Sequence, residues 1–134
     1  MIVVDTNIVV YLFIENEYTP KAESVFRKDA QWAAPILWRS EFRNVLAYYM
    51  RNHFLAFDSA IKIMNEAIFL LSDNEYEVTS LDVLKLAQAS GCSAYDCEFV
   101  TLARDFGLPL VTSDKKILKT FPEYTVSLES YAGV

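Results

Sequence analysis

Residues 2–7 read Ile-Val-Val-Asp-Thr-Asn, and residues 110–114 read Leu-Val-Thr-Ser-Asp. Each begins as a short apolar or β-branched run and reaches an aspartate where the run ends. Such a run, without polar alternation, predicts a strand buried on both faces, as in a parallel sheet. Outward from these two stretches, strand signals alternate with longer stretches of helical period. After the Ile2–Val4 strand comes a short helix through Tyr11–Phe13, then a helix opened by Thr19 as cap with Pro20 in its first turn. Trp32–Ala34 reads as a short strand. Helices are predicted from about Ile36 to Arg51, from Asp58 as cap to Leu71, and from Ser80 to about Gln88, with a strand at Tyr76–Val78. Ser93 is expected to cap a helix that runs to about Asp105 and is closed by Gly107. Leu108–Thr112 then forms a buried strand, Ser113 starts a short helix, and Tyr124–Val126 is the last strand.

Strands separated by helices need crossover connections. The expected fold is therefore α/β, a mostly parallel central sheet flanked by helices on both faces. In such sheets ligands bind beyond the carboxyl ends of the strands, where the strand order reverses. Asp5 and Asp114 occupy such ends.

At 134 residues the chain is expected to form one domain, residues 1–134, able to bury about 68% of its unfolded surface. Charges interrupt the 53% of apolar residues every few positions, and no run reaches the ~18 residues that span a bilayer. The opening strand-like run lacks a basic leader and a small-residue cleavage site, which predicts a cytoplasmic protein without a signal peptide. Cys92 and Cys97 match neither a CxxC redox pair nor a zinc knuckle and are expected as buried free thiols. A net charge of −6 runs against nucleic-acid binding, because phosphate contacts draw on clustered Lys and Arg. A cation gathered by several acids reverses the sign that a phosphate meets.

Four acids stand where solvated side chains are not expected. Asp5 and Asp114 follow strands, and each is open to the plain reading of a helix N-cap. Ser113 is an alternative cap beside Asp114. Around its helix, Glu41 has Leu37, Trp38, Val45 and Tyr48 as neighbours, which places it in the apolar stripe. The alternative is a Glu at the stripe's edge, reaching water. Asp96 shares a side with Phe99, Val100 and Ala103, while Glu98 and Asp105 face the other way. A capping box with Ser93 accounts for Asp96 alone. Two carboxylates ~4 Å apart repel by about 4 kcal/mol at an effective dielectric of about 20, so four gathered together need a cation. Magnesium or manganese suits an all-oxygen set, and such an ion activates water for phosphodiester hydrolysis.

Other chemistries lack their residues. His53, the sole histidine, lies near the end of the long helix and is expected to be peripheral. There is no HExxH, no GxxxxGK[ST] and no GxGxxG. A phosphoacceptor domain of the response-regulator kind also uses strand-end acids, but Asp5 has no second acid beside it.

The order Asp5-Thr6-Asn7, Glu41 in Ser-Glu-Phe-Arg-Asn-Val-Leu, Asp96 in Ser-Ala-Tyr-Asp, and Thr112-Ser113-Asp114 resembles the PIN-domain family, most of all its VapC-type toxins. The resemblance covers nearly the whole chain. It implies a metal-dependent endoribonuclease, the toxin of a type II toxin–antitoxin pair, with magnesium or manganese held by Asp5, Glu41, Asp96 and Asp114. Glu41 would be a ligand or a water-orienting base. Asn7 and Thr112 match positions that support the acids through hydrogen bonds. Partners implied are RNA, a small antitoxin seated on exposed members of Trp38, Tyr48 and Tyr49, and a second copy in a homodimer. Arg39, Arg43, Arg51, Lys115, Lys116 and Lys119 are the basic residues available to RNA, and Lys115 and Lys116 are the leading candidates for phosphate contacts. The acidity of the chain departs from the family pattern. A PIN fold kept as an RNA- or protein-binding module, with little catalysis, is the alternative.

Overall fold

The structure, a computed structural model, describes residues 1–133. The elements are β1 (Ile2–Val4), α1 (Thr6–Phe13), α2 (Thr19–Lys28), β2 (Trp32–Pro35), α3 (Trp38–Arg51), α4 (Phe57–Leu71) and β3 (Glu75–Tyr76), followed by α5 (Ser80–Ser90), α6 (Ala94–Phe106), β4 (Leu110–Thr112), α7 (Lys115–Thr120), β5 (Thr125–Ser127) and α8 (Leu128–Ala132). The five strands run in the order β3-β2-β1-β4-β5. Every pairing is parallel, so the expected mostly parallel sheet is wholly so.

Successive strand residues point to opposite faces, yet all of β1, β2 and β4 is buried. Helices therefore cover both faces of the sheet centre, which is why these strands carry no polar alternation. Trp32, Trp38 and Phe42 are the largest fully buried side chains and join the strand residues in the core. Among the described residues no helix is long and apolar enough to cross a membrane. Cys92 and Cys97 are buried free thiols, and His53 is exposed just beyond the α3 C-cap.

Several element ends differ from expectation. Tyr18, not Thr19, is the N-cap of α2; the Thr19 hydroxyl instead accepts from Asn16 N at 3.0 Å and donates to Tyr11 O at 2.6 Å. Helix α3 begins at Trp38, two residues after the expected start, because Ile36 N still follows the strand ladder to Tyr76 O at 3.0 Å. Ala56 caps α4, with Asp58 inside its first turn where the helix dipole favours an acid. Strand β3 is Glu75–Tyr76, not Tyr76–Val78, and Thr79 caps α5. Strand β4 starts only at Leu110, because Pro109 has no N–H to give a ladder. Strand β5 is shifted one residue on, and Ser127 caps α8, a helix too short to show a period in sequence.

Candidate functional site

Strands β1 and β4 are neighbours, and from them the order runs to β2 and β3 on one side and to β5 on the other. This is the topological switch point, where an open parallel sheet leaves a crevice beyond its carboxyl ends. Asp5 and Asp114 follow the two switch-point strands and so meet there. Each is also an N-cap, so the plain reading holds for both, and capping leaves both side chains lining the crevice. Asp5 Oδ1 accepts from Ile8 N at 3.2 Å, and its Oδ2 accepts from the Thr112 hydroxyl. Asp114 Oδ1 accepts from Ile117 N at 3.0 Å and caps α7, so this helix starts at Lys115 and not at Ser113 as expected. Thr112, fully buried, also accepts from Asp114 N at 3.0 Å, so one hydroxyl ties both acids together.

Glu41 reaches the same crevice from α3. Its place in the apolar stripe needs correction: the buried stripe is Trp38, Phe42 and Leu46, and half-buried Glu41 stands at its margin. There its Oε1 accepts from the Thr6 hydroxyl at 2.6 Å. Asp96 lies in the first turn of α6, where its N–H donates to Ser93 Oγ at 3.0 Å. That bond is one half of the capping box.

The four carboxylates line one cleft of about 280 Å³, with Thr6, Asn7 and Asn44 as polar neighbours and Val45, Phe99 and Ile117 as apolar wall. Burial pushes the Asp5 carboxyl up to about 6, against the pull of the Thr112 and Ile8 hydrogen bonds and with help from the charges of Asp114 and Glu41. Burial also raises Glu41, opposed by the Thr6 hydroxyl and reinforced by Asp96. Asp96 is raised by burial and then by Asp114, with Ser93 and Lys116 pulling the other way. The acids therefore sense one another across the cleft and, among the described residues, none of the four is in a salt bridge.

Among the described residues, no three His, Cys, Asp or Glu side chains stand at the spacing of a ready ligand cage. The donor chemistry still fits a small hard cation. All four acidic side chains offer oxygen, and magnesium typically keeps several waters while taking one or two carboxylates directly. An open cluster of acids suits that habit, and a cation would offset both the burial that chiefly raises Asp5, Glu41 and Asp96 and the repulsion from neighbouring acids that adds to it.

Other expected residues divide. Asn7 lines the cleft, but its side chain makes no hydrogen bond to the acids among the described residues; Thr6 makes that contact instead, and nothing in its local sequence marks it. Glu98, expected to face away, is raised by burial and then by the Glu41 charge, so it lies near that acid. Lys115, Lys116 and Lys119 are exposed on α7, and Lys116 is close enough to lower Asp96. Arg39 is committed to Glu75 through two hydrogen bonds of 2.6 Å. Trp38 is buried and leaves Tyr48, 54% exposed, as the principal accessible aromatic of the three expected at a partner surface. Phe54, Phe57, Ile61 and Phe69 are exposed as well.

The PIN domain family matches residues 2–122. Ribonuclease VapC3 of Pyrobaculum aerophilum is 27% identical over 124 residues, spanning 90% of this chain and 95% of that protein. Among solved structures, PAE2754 from Pyrobaculum aerophilum superposes with a TM-score of 0.77 at 22% identity, covering 98% of this chain and 92% of its own. A toxin-antitoxin complex from Klebsiella pneumoniae gives a TM-score of 0.69 at 17% identity, with coverage of 96% and 98%. The two superpositions establish a PIN-like fold.

Proposed function

The chain belongs to the PIN-domain family, and we propose that it is a divalent-metal-dependent endoribonuclease, the toxin of a type II toxin–antitoxin pair. The observation that carries this reading is the meeting of Asp5, Glu41, Asp96 and Asp114 in one cleft at the switch point. Magnesium or manganese bound there would lower the pKa of an attacking water and stabilise charge on the leaving oxygen. The protein's own part is positioning. Thr112 fixes Asp5 and the Asp114 backbone together, and the Thr6 hydroxyl holds Glu41, which would serve as ligand or water-orienting base. Lys115 and Lys116 stand beside Asp114, where they would take phosphate oxygens and offset the chain's negative charge.

The name of the Pyrobaculum relative supports RNA as substrate, and the Klebsiella complex supports an antitoxin partner. The exposed apolar residues from Tyr48 to Phe69 would receive that antitoxin. A homodimer acting in the cytoplasm completes the proposal. The second reading, a binding module with little catalysis, draws on the absence of a closed acid cage among the described residues. Incubating RNA with pure protein in manganese, with EDTA and Asp96→Asn controls, and sequencing the new ends separates the two. The nuclease reading expects defined ends that vanish in both controls. Equal products in all three samples would falsify it.

A further inference from the structure

We infer that Glu75 is a positioning residue for Glu41: clamped to Trp38 and Arg39, it sets the rotation of α3 about its own axis. The inference rests on the nuclease reading for its kinetic consequence, but not for its geometry. The N-terminus of α3 lacks a side-chain cap, because Leu37 occupies the cap position. Glu75 supplies the missing anchor from edge strand β3. Its side chain is only 8% exposed, and its carboxylate accepts from Trp38 Nε1 at 2.7 Å and from Arg39 Nε and Nη2 at 2.6 Å each.

Burial raises the Glu75 carboxyl, but the hydrogen bonds from Arg39 and Trp38 outweigh it and hold the group below the usual range. A carboxylate at this end of a helix also meets its positive pole. The strand beneath is tied in as well, since Glu75 pairs with Ala34 and Ile36 N reaches Tyr76 O.

Trp38 and Arg39 are consecutive residues, about 100° apart around the helix. Holding both to one carboxylate fixes rotation, which a single contact does not. Glu41 follows within the same turn, and a helix with its side chains has a radius of about 5–6 Å. A rotation of roughly 20° would therefore carry its carboxylate about 2 Å, and a misplacement of about 1 Å can cost on the order of 100-fold in rate. The apolar stripe alone does not resist such a turn as sharply, because dispersion contacts are shallow and non-directional compared with a forked ion pair. Glu75 thus acts on the cleft from outside it, and it is absent from the cleft lining.

The test uses Glu75→Gln and, as a second variant that leaves the Trp38 contact in place, Arg39→Met. Metal-free samples are labelled so that the Glu41 carboxyl carbon is followed by NMR, and manganese-dependent cleavage is followed separately, with thermal melts fixing the folded fraction. The expected result is a displaced Glu41 resonance in both folded variants, with kcat lowered about 10- to 100-fold and KM changed less than about 3-fold. An unmoved Glu41 resonance overturns the clamp, as does a loss of kcat that disappears after correction for the folded fraction. If one variant fails to fold, the other decides by the same criteria. A wild-type protein that cuts no RNA removes the nuclease reading instead, and the metal-free resonance still decides the clamp.

Discussion

Replacing Asp5 with Asn should make the metal-free protein more stable at neutral pH while removing its response to metal. Asp5 is 9% exposed, and burial lifts its carboxyl from 3.8 to about 6, above what the Thr112 and Ile8 hydrogen bonds can offset. The folded state then binds the proton more tightly than the unfolded state. The stability from the protonated group is fully present below pH 3.8 and is lost as pH rises through about 6. A rise of about two units, at about 1.4 kcal/mol each, leaves the native state carrying roughly 3 kcal/mol of buried charge at pH 7.

Asn has the same outline without the charge and is itself a good cap for Ile8 N. Its amide would face the Thr112 hydroxyl, which already accepts from Asp114 N, at a cost of about 1 kcal/mol. The net expectation is a gain of about 2 kcal/mol, or a midpoint higher by roughly 6–8 °C for a chain of this size. Urea titrations in EDTA at several pH values measure it. Wild type should weaken between about pH 4 and pH 6, and Asp5→Asn should be flatter. Added manganese should then stabilise wild type and leave the variant unmoved. A variant less stable than wild type at pH 7 in EDTA would refute the reasoning, since the carboxylate would then be a net favourable native group.

Three further outcomes are expected. Thr112→Val keeps the shape but removes the hydroxyl shared by Asp5 and Asp114 N; a loss of about 2–4 kcal/mol by urea unfolding is expected, and a change under about 0.5 kcal/mol would remove Thr112 as a support. Lys116→Glu should weaken RNA binding across sequences and lower the slope of log K against log salt by about 1 or more, read by fluorescence titration. Gly107→Ala should cost about 1–2 kcal/mol: Gly107 closes α6 at φ 63°, and an added Cβ meets nothing within 4 Å, so the loss reports backbone conformation alone.

The order of strands and helices up to β5 was legible in the sequence because hydrophobic period, caps and Gly or Pro punctuation are local signals; the five-residue α8 was not. The apolar runs of β1 and β4 announced burial on both faces, and the position of Asp5 and Asp114 just beyond them announced that both would stand at the carboxyl edge of the sheet. Ser93 and Gly107 marked the ends of α6 by chemistry that needs no distant partner. Element boundaries were less legible. Leu108–Pro109 looked like strand, but without a proline N–H the ladder begins at Leu110, and the two-residue β3 is defined by its pairing with β2 rather than by its composition.

The four acids of the candidate site were legible as residues and illegible as an arrangement. No local pattern says that Thr112 will meet Asp5 across 107 positions, or Thr6 meet Glu41 across 35. Those contacts exist because β1 and β4 lie side by side and α1 packs on α3. The same holds for Arg39, which reads as a free surface cation in sequence and is spent on Glu75 in the fold. Sequence alone determined the α/β alternation and where the acids fall along it, since these follow from propensities of neighbouring residues. Only the tertiary structure decided that they share one cleft and which hydroxyls hold them, because the sheet order brings together groups whose separation along the chain carries no signal.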